Sequence, residues 1–426
     1  MTERLLQHIW QFQHFNNREL TLSNGEEFRI VHPGTFNTNQ GPDFLEARIK
    51  IGDTLWVGQV ELHVKTSDWY KHAHQFDRNY NNVILHVVWE NDMSDIIQHI
   101  PVFSLKERVS GLLLQQYEHW MNSQSFIPCN QQASSVSDIV WITWKDRLVV
   151  ERLQRRTTTI FSYLQQTNHH WEEVCWWMLA RNFGIKVNAE SFEAVARSLP
   201  VALLAKHRNQ LQQLEALLLG QAGLLEQEFE GTYQQLLKSE YLFYKHKYQL
   251  QPVHVPVHFL RMRPSAFPTV RLAQLAMLVG KSSHLFSRIK EAQDVEDIRQ
   301  LLAVAASYFW NYHYTLTESS EYKPKKIGGR MIDNIIINTI VPVLFAYGHF
   351  HKDEVIKEKA LQWLSKIAGE INSITLEFAG LHIANKTAFD SQALIELKTG
   401  YCDKKKCLDC AIGNALLKKS TPLVMQ

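Results

Sequence analysis

Cysteine is scarce in this chain: there are five among 426 residues, an odd number, and three of them crowd into Cys402, Cys407 and Cys410. That distribution is unlike the disulfide framework of a secreted protein. An excess of either charge is missing as well. Lys and Arg number 45 against 43 Asp and Glu, a net charge of +2, so any basic surface for a polyanionic partner has to be local. No run of 18 apolar residues free of charge occurs, and neither a membrane-spanning helix nor a membrane partner is expected. The opening Met1-Thr2-Glu3-Arg4-Leu5-Leu6 has no apolar signal core, so a cytoplasmic location is expected. Fixed-period repeats and low-complexity tracts are also absent.

What is present is enough chain for two or more hydrophobic cores. Leu5, Leu6, Ile9, Trp10 and Phe12 carry helical spacing, and strands are expected at 19–22, 27–32, 45–51 and 54–65. Residues 67–80 have the pattern of a helix capped by Ser67 or Asp68. The apolar run Val83-Ile84-Leu85-His86-Val87-Val88-Trp89 and a segment near 98–105 then return to strand. From about 107 onward nearly every segment has helical periodicity, including 137–165, 200–219, 222–238 and 330–347, with Pro252, Pro256, Pro264, Pro268 and Pro324 in the breaks. The expected fold is therefore α+β: a small mixed-sheet α/β domain over 1–106, then a large all-α region over 107–426.

The chemistry concentrates between 41 and 86. Gly41-Pro42-Asp43-Phe44 places an acid after a bend, and Val60-Glu61-Leu62-His63-Val64-Lys65 puts Glu61, His63 and Lys65 on one strand face. Two acids beside a basic group suit a divalent ion, Mg²⁺ or Mn²⁺, with His63 or Lys65 orienting or deprotonating water. The pairing, however, strains this arrangement. A two-residue turn at Gly52-Asp53 pairs residues whose numbers sum to 105, and this sets Asp43 opposite Leu62, on the wrong face from Glu61. One extra residue, expected as a bulge at Gly58, restores the shared face. The plain alternative is that Glu61 and its neighbours are solvated polar positions of an amphipathic hairpin.

Helix, strands, Pro-Asp, Glu-x-basic, helix and strand, in that order, resemble the core of the PD-(D/E)XK nuclease superfamily. That resemblance implies a restriction-endonuclease-like mixed sheet flanked by helices, and metal-dependent cleavage of DNA or RNA. Asp43 and Glu61 match its two acids, whereas His63 stands where Lys is usual. The resemblance leaves a second outcome open, a non-catalytic scaffold that binds nucleic acid or protein through a degenerate nuclease-like domain.

His63, His72, His74, Asp77 and His86 lie close together in sequence. If the helix over 67–80 covers the Glu61 face, His72 and His74 converge on the same pocket, as support for the acids or as metal ligands. His86, between Leu85 and Val87, is equally consistent with a hydrogen-bonded core histidine. At the other end, Cys402, Cys407 and Cys410 form a C-x4-C-x2-C block, and Cys129 after Pro128 is the expected fourth ligand. Four thiolates suit either Zn²⁺ or a [4Fe–4S] cluster. Cys175 sits in an apolar helical segment and is expected in the core. The Lys runs 404–406 and 323–326 are expected either to grip phosphates or simply to be solvated loops.

Over nearly its full length the chain also resembles a family of bacterial proteins known as a domain of unknown function. The resemblance runs through Gln40-Gly41-Pro42-Asp43-Phe44, Val60 to Lys65, Tyr80 to Val88, Ile127-Pro128-Cys129, Arg261-Met262-Arg263-Pro264 and Cys402 to Gly413. It implies no activity.

Overall fold

The computed structural model describes residues 1–93, 100–251, 253–259, 262–282 and 284–420. Pro252, Arg261 and the start of the strand expected near 98–105 lie outside the described residues. The chain divides into two compact units. One comprises Met1–Trp144, Glu377–Ile383 and Ile395–Gln426, and the other Lys145–Leu376 and Ala384–Leu394.

The sheet belongs to the first unit. Its strands are β1 (Leu20–Thr21), β2 (Glu27–His32), β3 (Thr35–Phe36), β4 (Phe44–Ile51), β5 (Thr54–Lys65), β6 (Val83–Glu90) and β7 (Val102–Ser104). They lie in the order β1-β2-β4-β5-β6-β7, with β3 paired to the start of β4. Pairing is antiparallel up to β5 and parallel from β5 through β6 to β7. This is the expected mixed sheet, followed by a large all-helical region. The apolar run of β6 has its physical reason in that position: Val83 to Val88 are all buried, because a strand paired on both edges in parallel is covered on both faces.

Helix α1 (Glu3–Gln11) starts at Thr2, whose side chain accepts the Leu5 amide, and buries Leu5, Leu6, Ile9 and Trp10. Full burial of side chains of this size contributes roughly 1.5–3 kcal/mol each. The Trp10 indole also donates to the Pro33 carbonyl at 3.0 Å, and its ring stacks on Phe15 and meets Phe103 edge-on.

The helix expected over 67–80 is not continuous. Only α2 (Asp68–Lys71) is α-helical, followed by single turns at His74–Phe76 and Arg78–Tyr80. Ala73, in the left-handed region at φ 57°, breaks it.

In the second unit the expectation at 200–219 resolves into Val201–Lys206 and Leu211–Gln221. The one at 222–238 shifts to Thr232–Tyr248, because Gly223 at φ +73° ends the preceding helix. The segment Gly329–His351 has the length and hydropathy of a membrane-crossing helix, with 72% of its apolar window buried inside the protein. Ile335, Ile336, Ile340, Val341 and Leu344 are at most 1% exposed there.

Candidate metal centre at Glu61 and three histidines

The loop before β4 fixes Asp43. Gly41 holds φ +107°, a conformation open to glycine at little cost. Asn37 closes the loop, its amide donating to the Asp43 carbonyl at 2.7 Å and its side chain to the Pro42 carbonyl at 2.9 Å.

The bulge required by the sequence exists, but not at Gly58. Pairing sums to 105 from Ile51↔Thr54 to Ala47↔Gly58 and then shifts to Phe44↔Val60. The extra residue is therefore in β4, where Glu46 takes φ 58°. Gly58 is needed for a different reason: a Cβ there would meet Ile84 Cγ2 at 2.4 Å and the Asn82 carbonyl at 2.6 Å. It lets β5 approach the start of β6.

With the register shifted, Asp43 and Glu61 interlock. The Asp43 amide donates to Glu61 Oε2 at 3.0 Å, and the Leu62 amide donates to Asp43 Oδ2 at 3.1 Å. Gln7 of α1 donates to Asp43 Oδ1 at 2.7 Å. Burial, and then the neighbouring Glu61 carboxylate, pushes the Asp43 carboxyl up to about 8. The solvated-hairpin alternative does not hold here, since Glu61 is 5% and His63 1% exposed.

The other oxygen of Glu61 faces the imidazoles. Glu61 Oε1 is 3.6 Å from His63 Nε2 and 3.4 Å from His74 Nε2. His63 Nε2 is also 3.0 Å from His72 Nδ1, and His63 Nδ1 is 2.9 Å from His86 Nε2. Among the described residues, His63, His72 and His74 form the group whose ligand atoms all lie within 4.8 Å of one another. On an unbroken helix His72 and His74 would diverge by about 200°; the left-handed break at Ala73 is what allows both to reach His63.

Trp69, fully buried, packs against His63, His74 and His86, and Tyr80 stacks on His74 at 3.8 Å. Burial, and then the other histidines, lower His63 to about 2, and burial lowers His86 to about 3. Both rings are therefore neutral at physiological pH, the form that binds metals. His72 is exposed and His74 half-buried, so the cluster opens to solvent on that side.

Two expected members stand apart. Lys65 is exposed, in the field of Glu90 and Asp92, and Asp77 caps a turn by accepting the Asn79 amide at 2.9 Å. Conversely, the sequence reading overlooked Gln7 and Tyr80. Nothing in a single sequence marks Gln7, whereas Tyr80 flanks the histidines closely enough to have been a candidate.

Cys129, Cys402, Cys407 and Cys410 are neighbours in the first unit. Burial first, and then one another's charge, disfavour their thiolates: Cys402 is affected by Cys410, Cys129 and Cys407, and Cys129 by Cys410 and Cys407. Cys175 is buried in the second unit. Of the lysine runs, Lys405 donates to the Met121 carbonyl. Lys325 is buried and donates to the carbonyls of Asn311 and Lys323.

A family model described as "Protein of unknown function (DUF2851)" matches residues 3–373. The block Cys402–Cys410 lies beyond the matched residues. No curated protein and no solved structure matches the chain.

Proposed function

Because the chain belongs to the DUF2851 family, whose description assigns no activity, we propose from the site itself that it is a metal-dependent phosphodiesterase acting on DNA or RNA. The observation that carries this reading is the convergence of Glu61 Oε1 on His63 and His74, at 3.6 and 3.4 Å, with Asp43 locked beside it. The path α1, three antiparallel strands (β2, β4, β5), α2 and a parallel strand (β6) also supports the PD-(D/E)XK resemblance.

Glu61, His63, His72 and His74 would hold the ion. One carboxylate oxygen and three imidazole nitrogens suit Mn²⁺ or another transition metal better than Mg²⁺, which prefers oxygen ligands. When bound, such an ion supplies Lewis-acid polarisation of a phosphoryl oxygen. The protein's part is orientation. His86 accepts from or donates to His63 Nδ1 and so fixes the tautomer and tilt of that ring. The Asp43 amide aims Glu61 by holding Oε2, leaving Oε1 toward the histidines. Trp69 and Tyr80 brace the rings and exclude water from their inner side. Phe76, 83% exposed, and Arg78, also exposed, lie two and four residues beyond His74 in the chain. An aromatic face and a cation so placed suit a base and a phosphate of single-stranded nucleic acid.

One observation favours the scaffold alternative. Both Asp43 oxygens are already engaged by protein donors, which suits a domain that binds nucleic acid or protein without cutting. Incubation of end-labelled single- and double-stranded DNA and RNA with Mn²⁺ separates the two. Cleavage by the wild type that is lost in Glu61→Ala and retained in Lys65→Ala supports the phosphodiesterase. Binding without cleavage, or equal cleavage by Glu61→Ala, overturns it.

A further inference from the structure

The four cysteines are brought together by local structure on two distant segments. Cys129 sits in a tight turn in which the Asn130 amide bonds the Ile127 carbonyl at 3.1 Å and the Ala133 amide bonds the Cys129 carbonyl at 3.0 Å. Cys402 ends the wide helical turn Leu397–Cys402, Cys407 begins the turn Cys407–Asp409, and Cys410 caps the helix Ala411–Lys419. The intervening loop is folded back on itself. The Lys406 amide bonds the Tyr401 carbonyl at 3.0 Å, and the Cys410 amide bonds that of Cys407 at 3.3 Å.

Two features indicate that this cysteine set was built to hold a group. The Ile412 and Gly413 amides, in the first turn of the helix, hydrogen-bond the Cys410 sulfur, as amides do at ligand thiolates. Gly413 also lies so close to the loop that a Cβ would meet the Cys407 carbonyl at 2.2 Å. Helix and loop are thus packed to a separation that only glycine permits.

The spread of the four sulfurs bears on the occupant. A single tetrahedral Zn²⁺, with Zn–S near 2.3 Å, draws its sulfurs to about 3.8 Å from one another. A cubane places an iron behind each thiolate and so holds the four sulfurs roughly 6 Å apart. Among the described residues only the three histidines bring three ligand atoms mutually within 4.8 Å. None of the four cysteines, all of them described, belongs to such a group, which favours the wider thiolate set of a cubane. Yet each remains near enough to feel the others' charge.

We propose that Cys129, Cys402, Cys407 and Cys410 ligate a [4Fe–4S] cluster that ties the C-terminal segment to the turn at Cys129. The cluster has a structural role, takes no part in the chemistry at Glu61, and does not depend on the phosphodiesterase reading.

The test is metal and sulfide analysis of the full chain purified without oxygen, and again after incubation with Fe²⁺ and sulfide. The expected result is about four iron and four sulfide per chain, with a broad brown absorbance at about 400 nm. Cys129→Ser and Cys402→Ser should lose most of that iron, and Cys175→Ser should keep it. If the serine variants do not fold, iron-57 Mössbauer spectra of the wild type decide between a cluster and isolated iron. One equivalent of zinc with no cluster after both treatments overturns the proposal, as does full iron retention in Cys129→Ser.

Discussion

Asp43 and Glu61 hold one another across β4 and β5, the amide of the first on the carboxylate of the second at 3.0 Å. They do so because one residue too many in β4 moves the pairing from a sum of 105 to a sum of 104. Deletion of Glu46 removes that residue. It is expected to return Asp43 to the face of Leu62 and to weaken Mn²⁺ binding by at least about 10-fold, as measured by titration calorimetry. Unchanged binding would mean that the bulge does not position the site.

Glu46 itself can be improved. Its φ of 58° costs a residue with a Cβ about 1–2 kcal/mol, and its side chain is exposed. Glu46→Gly is expected to stabilise the protein by about 1 kcal/mol in denaturant melts, with Mn²⁺ affinity unchanged. A loss of stability would show that the carboxylate makes a contact of its own.

The bulge also marks where sequence reasoning stopped. The need for one extra residue was legible from the turn Gly52-Asp53 and the position of Asp43. Its place was not, because glycine is the usual sign of such a bulge, and the one glycine in β5 serves close packing on Ile84 and Asn82. The mixed sheet was legible from the apolar run of β6, and the clustering of histidines from their number between 63 and 86. What was hidden is that Ala73, a residue with no preference for left-handed backbone, breaks the helix so that His72 and His74 face the same ring. A periodic reading assumes an unbroken helix and cannot find that. The change of secondary structure near 106 was legible too. Compactness is a separate property: the cysteine block joins the sheet-bearing unit through contacts far apart in the chain.

His86 is buried, 0% exposed, and the only hydrogen bond of its ring among the described contacts is to His63. His86→Leu is expected to weaken Mn²⁺ binding by about 10–100-fold, and His86→Gln, which keeps an acceptor, to recover part of it. A purely structural histidine would change the melting temperature in both variants and leave the dissociation constant alone.

Glu215 gives the helical unit a pH dependence. Its carboxyl is buried, accepts from Tyr233 Oη and Trp310 Nε1, and is pushed by burial up to about 7 from 4.5. The folded state therefore binds more protons than the unfolded one between those values, and stability falls as pH rises through that window, by up to about 3 kcal/mol. Glu215→Gln should flatten this part of the stability profile measured from pH 4 to 8. An equally steep profile in the variant would place the dependence elsewhere.

Gly413→Ala places a methyl group 2.2 Å from the Cys407 carbonyl, so helix and loop must separate. Less iron per chain, with the Mn²⁺ affinity of the histidine centre unchanged, is expected from metal analysis of the same sample. Full iron retention would show that the loop tolerates the shift.

The most direct measurement is the anomalous difference map of a crystal grown with Mn²⁺. A peak about 2.1 Å from Glu61 Oε1 and from one nitrogen each of His63, His72 and His74 is the expected result. A map with no density among those four side chains at saturating Mn²⁺ would contradict the metal centre on which the phosphodiesterase reading stands.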